Sequence, residues 1–522
     1  MQNLLSRRAA ILAVLVLSLL LVPVASADPG FLTGEPAMLT PMTAGASVQP
    51  IMTVGETLPN GYRFETLPDG IGLVPNGNGT VDVFVAHEAS LVPFPAVGTV
   101  PYGQSDFTNA EISQLRLHQG TGGVLQGWKP LTSDANYQRF CSAFVASEEH
   151  GFQRPVFFAN EEATDFVSPP PLAAWPPDPT NQRQAGLVVA LDTKTGKYHS
   201  IPGMGRLNHE NTIVVPGGWQ DVVALTGDDT FSAPSAQLYL YKAASAKDLL
   251  ADNGGLYAFV SDNPAINDYG DLAGMTSVSG HFISVPRAIA LGDQTPLENW
   301  SNANNVFQFI RIEDMAYDKN DPRIVYIADT GEPRAIPDPA TGRLRRGPSN
   351  AQGDYMNGRI FKLVMNAADP LAVDSLSILI NADLGGYNNP NVLHQPDNID
   401  TSLGSLMIQE DPGSHNSYAP GAGPSARIWR YDLEGGTLAV VAEVNQSLDP
   451  IARAGAWESS GIANTADIFG PGTWLVTVQA HTVFVESETR IVTDTTRTPP
   501  ATGPVLFKRE GGQLLLLTVP GS

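Results

Sequence analysis

Apolar positions in this chain come in short, β-branched or aromatic runs, and six of these runs end alike, in acidic residues or histidine. Residues 81–86 (VDVFVA) end at His87-Glu88, 155–160 (PVFFAN) at Glu161-Glu162, and 222–225 (VVAL) lead to Asp228-Asp229. Residues 324–328 (IVYIA) end at Asp329, 405–409 (SLMIQ) at Glu410-Asp411, and 474–479 (WLVTVQ) lead to His481. Runs of this length bounded by turn residues predict strands. Beyond the N-terminus no stretch of about fifteen residues keeps a helical period, so helices are expected only as short connections. A second pattern alternates with the first, a strand that reaches a polar turn and returns. It occurs at 186–192 turning at Thr195-Gly196, at 358–363, at 426–431 turning at Gly435-Gly436, and at 504–508 turning at Gly511-Gly512.

Six copies of the first pattern, with hairpins between them, predict an all-β fold, a β-propeller of six blades with insertions. The acidic ends recur roughly every 65 to 100 residues, more than a compact propeller repeat needs. The widest gap, between Asp229 and Asp329, holds a polar stretch around Asp252 to Asn305 that is expected to form an excursion over the channel. An array of β-sandwiches would share the short strands and glycine turns, but not the delivery of charge at a common strand end. If the acid-tipped strands are the innermost ones, Glu88, Glu162, Glu210, Glu313, Asp411 and Glu458 converge on one channel mouth. Carboxylates packed there repel one another unless cations lie between them, so the pattern points to metal.

Composition agrees. Fifty glycines and 42 prolines suit a turn-rich β protein, and 30 basic against 53 acidic side chains give a formal charge of −23. That charge opposes phosphate backbones and anionic lipid, so no nucleic acid partner and no membrane partner is expected for the mature chain. Arg7 and Arg8, an apolar run over 9–24 and Ala25-Ser26-Ala27 predict a signal peptide over 1–27, cleaved after Ala27, and a periplasmic or secreted protein. Ser6-Arg7-Arg8 matches part of a twin-arginine signal, and general secretion is the other route. Residues 28–65 are expected to form an N-terminal extension and 66–522 the propeller, acting as a monomer. One cysteine, Cys141, excludes an internal disulfide, and its thiol is either buried and inert or bound to something.

Several segments, in this order, resemble the PhoX-like family of bacterial alkaline phosphatases. They are Pro68-Asp69-Gly70-Ile71-Gly72 with the strand to His87-Glu88; Cys141 with Glu161-Glu162; and Gly205-Arg206-Leu207-Asn208-His209-Glu210-Asn211. Arg311-Ile312-Glu313-Asp314 follows, then Gln395-Pro396-Asp397-Asn398 with Glu410-Asp411, and Glu458-Ser459-Ser460-Gly461 before Gln479-Ala480-His481. The resemblance implies a propeller phosphatase that uses iron and calcium on a small phosphate ester. It implies Cys141, Glu162, Glu210, Glu313 and Glu458 as metal ligands, with Arg311 and Glu313 catalytic and Arg311 binding the phosphoryl group. His87, Glu88, His209, Asp397 and His481 would support them.

The residue types suit these roles. Carboxylates serve hard cations, a thiolate serves iron, and a guanidinium fork matches two phosphoryl oxygens. Plainer readings stand beside them: Cys141, between Phe140 and Phe144, as a small core residue, and Arg311 as an ion-pair partner of Glu313 or Asp314. At the level of function the alternatives are a calcium-dependent propeller lactonase or phosphotriesterase, and a ligand-binding propeller without turnover.

Overall fold

The computed structural model describes residues 29–94, 103–170, 175–230, 236–274, 277–348, 350–386, 389–412 and 423–522. The expected signal peptide and its cleavage site lie outside the described residues. Six antiparallel units surround one channel. Ordered from the channel outward, blade one is Pro68–Pro75, Thr80–His87, Glu111–His118 and Val124–Leu131, and blade two is Phe140–Ala146, Val156–Glu161, Val188–Asp192 and Tyr198–Ser200. Blade three begins with His209–Val214 and Val222–Asp228, and blade four with Ile312–Tyr317 and Ile324–Asp329. Blade five begins with Pro396–Thr401 and Ser405–Glu410, and blade six with Glu458–Asn464 and Thr473–Asp494. The six innermost strands pack side by side around the ring, blade six closing against blade one.

The repeated acid-tipped runs are therefore the second strands of their blades and not the innermost ones. Because neighbours in a blade are antiparallel, the end of each second strand lies beside the start of the innermost one, as in Pro68 opposite His87 and Phe140 opposite Glu161. The acids still gather at a single mouth, for a different reason from the one the sequence suggested.

Three further expectations are corrected. The glycines at 511–512 make no turn: Ala501–Thr518 runs straight through them, with Gly512 opposite Gln479. A Cβ on Gly512 would stand 2.7 Å from the Val478 carbonyl oxygen and 2.8 Å from Pro68 Cδ, so close packing explains the glycine there. The segment 28–65 is part of the propeller, since Leu39–Pro41 adds the outermost strand of blade five and Ser47–Thr53 that of blade six. The excursion sits at the rim, not over the channel. There Val278–Ser284 joins blade three to Ala372–Asn381 of blade four, and the helix Gln294–Ala303 follows.

Apolar side chains between blades make up the core, in clusters such as Ile213, Leu225, Leu240, Phe309 and Phe361 between blades three and four. At the channel the innermost strands approach backbone to backbone. A Cβ on Gly70 would lie 2.3 Å from the Ala143 nitrogen, and one on Gly461 would lie 2.2 Å from the Asp69 oxygen. Beyond this neck the channel opens into a cavity of about 920 Å³ walled by residues such as Ile71, Val145, Ile213, Met315 and Ile399.

Candidate metal centre

Every innermost strand carries a bulge at the same level. Its ladder slips by one residue between Pro68 and Ile71, Phe140 and Ala143, His209 and Thr212, Ile312 and Met315, Pro396 and Ile399, and Ser459 and Ile462. A bulge re-aims side chains that a regular strand would send to opposite faces. Here it gives two polar tiers. The upper tier holds Asp69, Cys141, Glu210, Glu313, Asp397 and Ser460, the first bulge residue of each blade, with Glu458 two residues before Ser460 and opposite Gln479. The lower holds Ser142, Asn211, Asp314 and Asn398, with Gly70 and Gly461 in blades one and six. Tiers and blades are tied together: Asn398 Nδ2 donates to Ser142 Oγ, Asn211 Nδ2 to Asp314, and the Ser142 amide to Glu210 Oε1 at 3.2 Å.

The ends of the second strands divide their work by alternation. In blades one, two, four and five the first residue of the tip fixes the turn two residues before the innermost strand. Glu161 accepts from the Gln138 amide at 2.8 Å, Asp329 from Ile310 at 2.9 Å, and Glu410 from His394 at 2.8 Å. His87 fills the same place through the Thr66 carbonyl at 2.9 Å. The next residue, Glu88, Glu162, Asp229 or Asp411, turns to the mouth.

Four overlapping groups of ligand atoms result, each with all members within 4.8 Å: Asp69, Glu88 and Cys141; Cys141, Glu162 and Glu210; Glu210, Glu313 and Asp397; Asp397, Asp411 and Glu458. Shared members link them into one arc touching all six blades. The arc unites the sequence-derived ligands Cys141, Glu162, Glu210, Glu313 and Glu458. Glu88 and Asp397, expected to support the ligands, stand among them, and Asp411 and Asp69 belong as well. Asp69 lies in the Pro68-Asp69-Gly70-Ile71-Gly72 motif, and its signal is its place one residue inside the first pair of an innermost strand.

Two histidines do not join. His87 is held by Thr66 and Ser113 and His209 by Thr226 and Gly205, and burial drops them to about 3 and about 4, so both stay neutral. His481 does take part, with Nδ1 2.6 Å from Glu510 and Nε2 3.5 Å from Glu458. Burial opposes its charge, but Glu510 and Glu458 hold its imidazolium well above the usual histidine range. Gln479 Nε2 reaches Asp69 at 3.0 Å, Glu88 at 3.2 Å and Ser460 at 3.2 Å.

Arg311 and Glu313 lie two apart, and their side chains meet at 2.8 Å (Nη2 to Oε1). The guanidinium also grips Asp229 from blade three, Nε at 2.7 Å and Nη2 at 2.6 Å.

Without cations the arc carries unfavourable charge. Burial, then neighbouring carboxylates, push Glu162, Glu210, Asp397 and Glu458 well above the carboxylate range. Glu313 is raised by burial too, with Arg311 pulling it back. Burial raises Asp69 to about 6 and, with Asp69 beside it, Glu88 to about 7. Cys141, whose Sγ lies 3.3 Å from Asp69, is raised by burial and then by Asp69 and Glu210. Glu210 Oε2 is buried with no hydrogen-bond partner. A buried carboxylate oxygen left open toward a thiol and more carboxylates is what a bound cation would satisfy, so the residues fit a metal centre.

No curated protein matches this sequence. Among solved structures, Pseudomonas fluorescens PhoX in complex with vanadate, a transition state analogue, shares 14% identity and a TM-score of 0.63 over 94% of this chain and 97% of its own. At that identity the likeness shows the β-propeller fold. The periplasmic gluconolactonase PpgL of Pseudomonas aeruginosa shares 12% identity over 74% of this chain and 86% of its own, with a TM-score of 0.30. The sequence model of the family described as Alkaline phosphatase PhoX matches residues 145–486, well over half of the chain, and the protein therefore belongs to the PhoX alkaline phosphatase family.

Proposed function

We propose that this protein hydrolyses phosphate monoesters at the acidic channel mouth, with iron and calcium as its metals. Cys141, Glu162, Glu210, Glu313 and Glu458 would hold the ions, and Asp69, Glu88, Asp397 and Asp411 would complete the arc. Bound there, the ions supply the Lewis acidity and positive charge that phosphate-ester hydrolysis draws on. Arg311 binds the phosphoryl group and stabilises the charge that develops on it, since a guanidinium stays cationic at alkaline pH. Gln479 orients Asp69 and Glu88. His481, anchored on Glu510, orients Glu458 and offsets its charge.

The observation that carries this reading is the arc itself, a buried run of ligand atoms from all six blades with Arg311 at its edge. We also propose export, with residues 1–27 as a cleaved signal peptide and the mature chain acting as a monomer in the periplasm or outside the cell.

Elemental analysis of the purified protein, with a p-nitrophenyl phosphate assay before and after chelation, tests the reading. Iron together with calcium, and turnover that chelation removes, is the expected result. Calcium alone, with turnover of lactones but not of phosphate esters, would overturn it.

A further inference from the structure

Asp229 belongs to none of the ligand groups, although it is fully buried beside them. Its carboxylate takes the side edge of the Arg311 guanidinium, one oxygen on Nε at 2.7 Å and the other on Nη2 at 2.6 Å. Both partners are anchored through their own backbones. The Asp229 amide donates to the Asn208 carbonyl at 3.0 Å, and Asn208 Nδ2 returns a contact of 3.4 Å to the Asp229 carbonyl. The Arg311 amide donates to Asp329 Oδ1 at 3.1 Å, and its carbonyl accepts from Thr330 at 3.0 Å. The pair thus bridges blades three and four from two fixed points. Exposure of the two side chains is 0% and 5%.

A guanidinium has two edges that can each hold a pair of oxygens, and a paired carboxylate on one fixes the direction of the other. From these contacts we infer that Asp229 is a positioning residue, which locks the Arg311 fork in one orientation and so sets how tightly the phosphoryl group is held. The inference rests on the reading of Arg311 as the phosphoryl-binding residue. An arginine free to rotate would lose that freedom on each substrate binding, and a fork held in advance avoids that cost.

A double-variant cycle tests this. Asp229→Asn keeps the shape but loses the charged two-point grip. Measured on the metal-loaded full chain, it is expected to lower kcat/KM for p-nitrophenyl phosphate at least tenfold and to weaken inorganic phosphate binding, by calorimetry, in proportion, with iron and calcium contents unchanged. In an Arg311→Ala background the same change is expected to have no further effect, because Asp229 acts through Arg311. A loss of metal in Asp229→Asn would show that Asp229 is a ligand and overturn the inference. Independent, multiplying effects of the two substitutions would overturn it as well. If Asp229→Asn does not fold, Asp229→Glu keeps the charge and shifts the fork by one methylene. It is then expected to lose kcat/KM at least tenfold with full metal content, and wild-type kinetics from it would sink the proposal. Phosphate binding unaltered by Arg311→Ala alone would instead refute the role of Arg311, a separate failure.

Discussion

Removing the metals should invert the usual acid sensitivity of a folded protein. A carboxyl whose folded pKa lies above its unfolded value favours folding below the unfolded value, and that contribution is lost as pH rises through the folded value. Asp69 is raised from 3.8 to about 6 and Glu88 from 4.5 to about 7, so for both groups the loss falls between about pH 4 and 7. At about 1.36 kcal/mol per pH unit, each costs the metal-free protein about 3 kcal/mol by pH 8. An unfolding entropy of about 2.1 cal/mol/K per residue gives about 1 kcal/mol/K for a chain of roughly 500 residues, so these two groups alone lower Tm by about 6 °C from full protonation to pH 8, about 4 °C of it between pH 5 and pH 8. Glu162, Glu210, Glu313, Asp397 and Glu458 are pushed up further and add to the loss. The assay is thermal unfolding of exhaustively chelated protein at pH 5 and pH 8, beside the metal-loaded form. The expected result is a lower Tm at pH 8 in the chelated protein only. A chelated protein that gains stability from pH 5 to pH 8 would refute the argument that the arc needs cations.

Cys141→Ser should lower bound iron and abolish any charge-transfer colour while the fold survives, and the native thiol should resist a thiol reagent in the loaded protein. Arg311→Lys keeps the charge but not the fork, and should cut phosphatase turnover roughly tenfold or more, about 1.4 kcal/mol, as read from steady-state kinetics. Glu313→Gln should lower metal content first and activity in consequence, which elemental analysis would separate. Gly70→Ala would drive a Cβ to 2.3 Å from the Ala143 nitrogen at the channel neck. It should cost about 1–3 kcal/mol on denaturant unfolding and, if the arc binds metal as proposed, lower metal content through the adjoining Asp69 and Cys141.

The blade number was legible because each blade repeats one strand with one kind of ending. Which strand repeats was not. Residues 81–86 are buried along their whole length, a feature shared by innermost and second strands, so periodicity could not tell the two apart. Acidic pairs such as Glu161-Glu162 showed that charge collects at the strand ends. Only the ladder shows that Glu161 staples the backbone of Gln138 and Leu187 while Glu162 faces Cys141 and Glu210. The bulges were invisible for a simpler reason: one extra residue in a strand leaves no mark unless its partner strand is known. His87 and His209 looked like site residues because they adjoin Glu88 and Glu210, yet in each case alternation sends the neighbour the other way. Gly511-Gly512 was misread because the two uses of glycine, turning and close approach, look the same in one sequence.

Blade six takes its outermost strand from Ser47–Thr53, near the start of the described chain, and its innermost strand supplies Glu458. During synthesis the ring therefore stays open, with the candidate ligands of five blades made before Glu458 is added. If the arc holds ions as proposed, translation order then sets the timing of their loading. No full set could be enclosed until the last blade closes on the first, and the ion supply of whichever compartment witnesses that closure would decide what the finished protein carries.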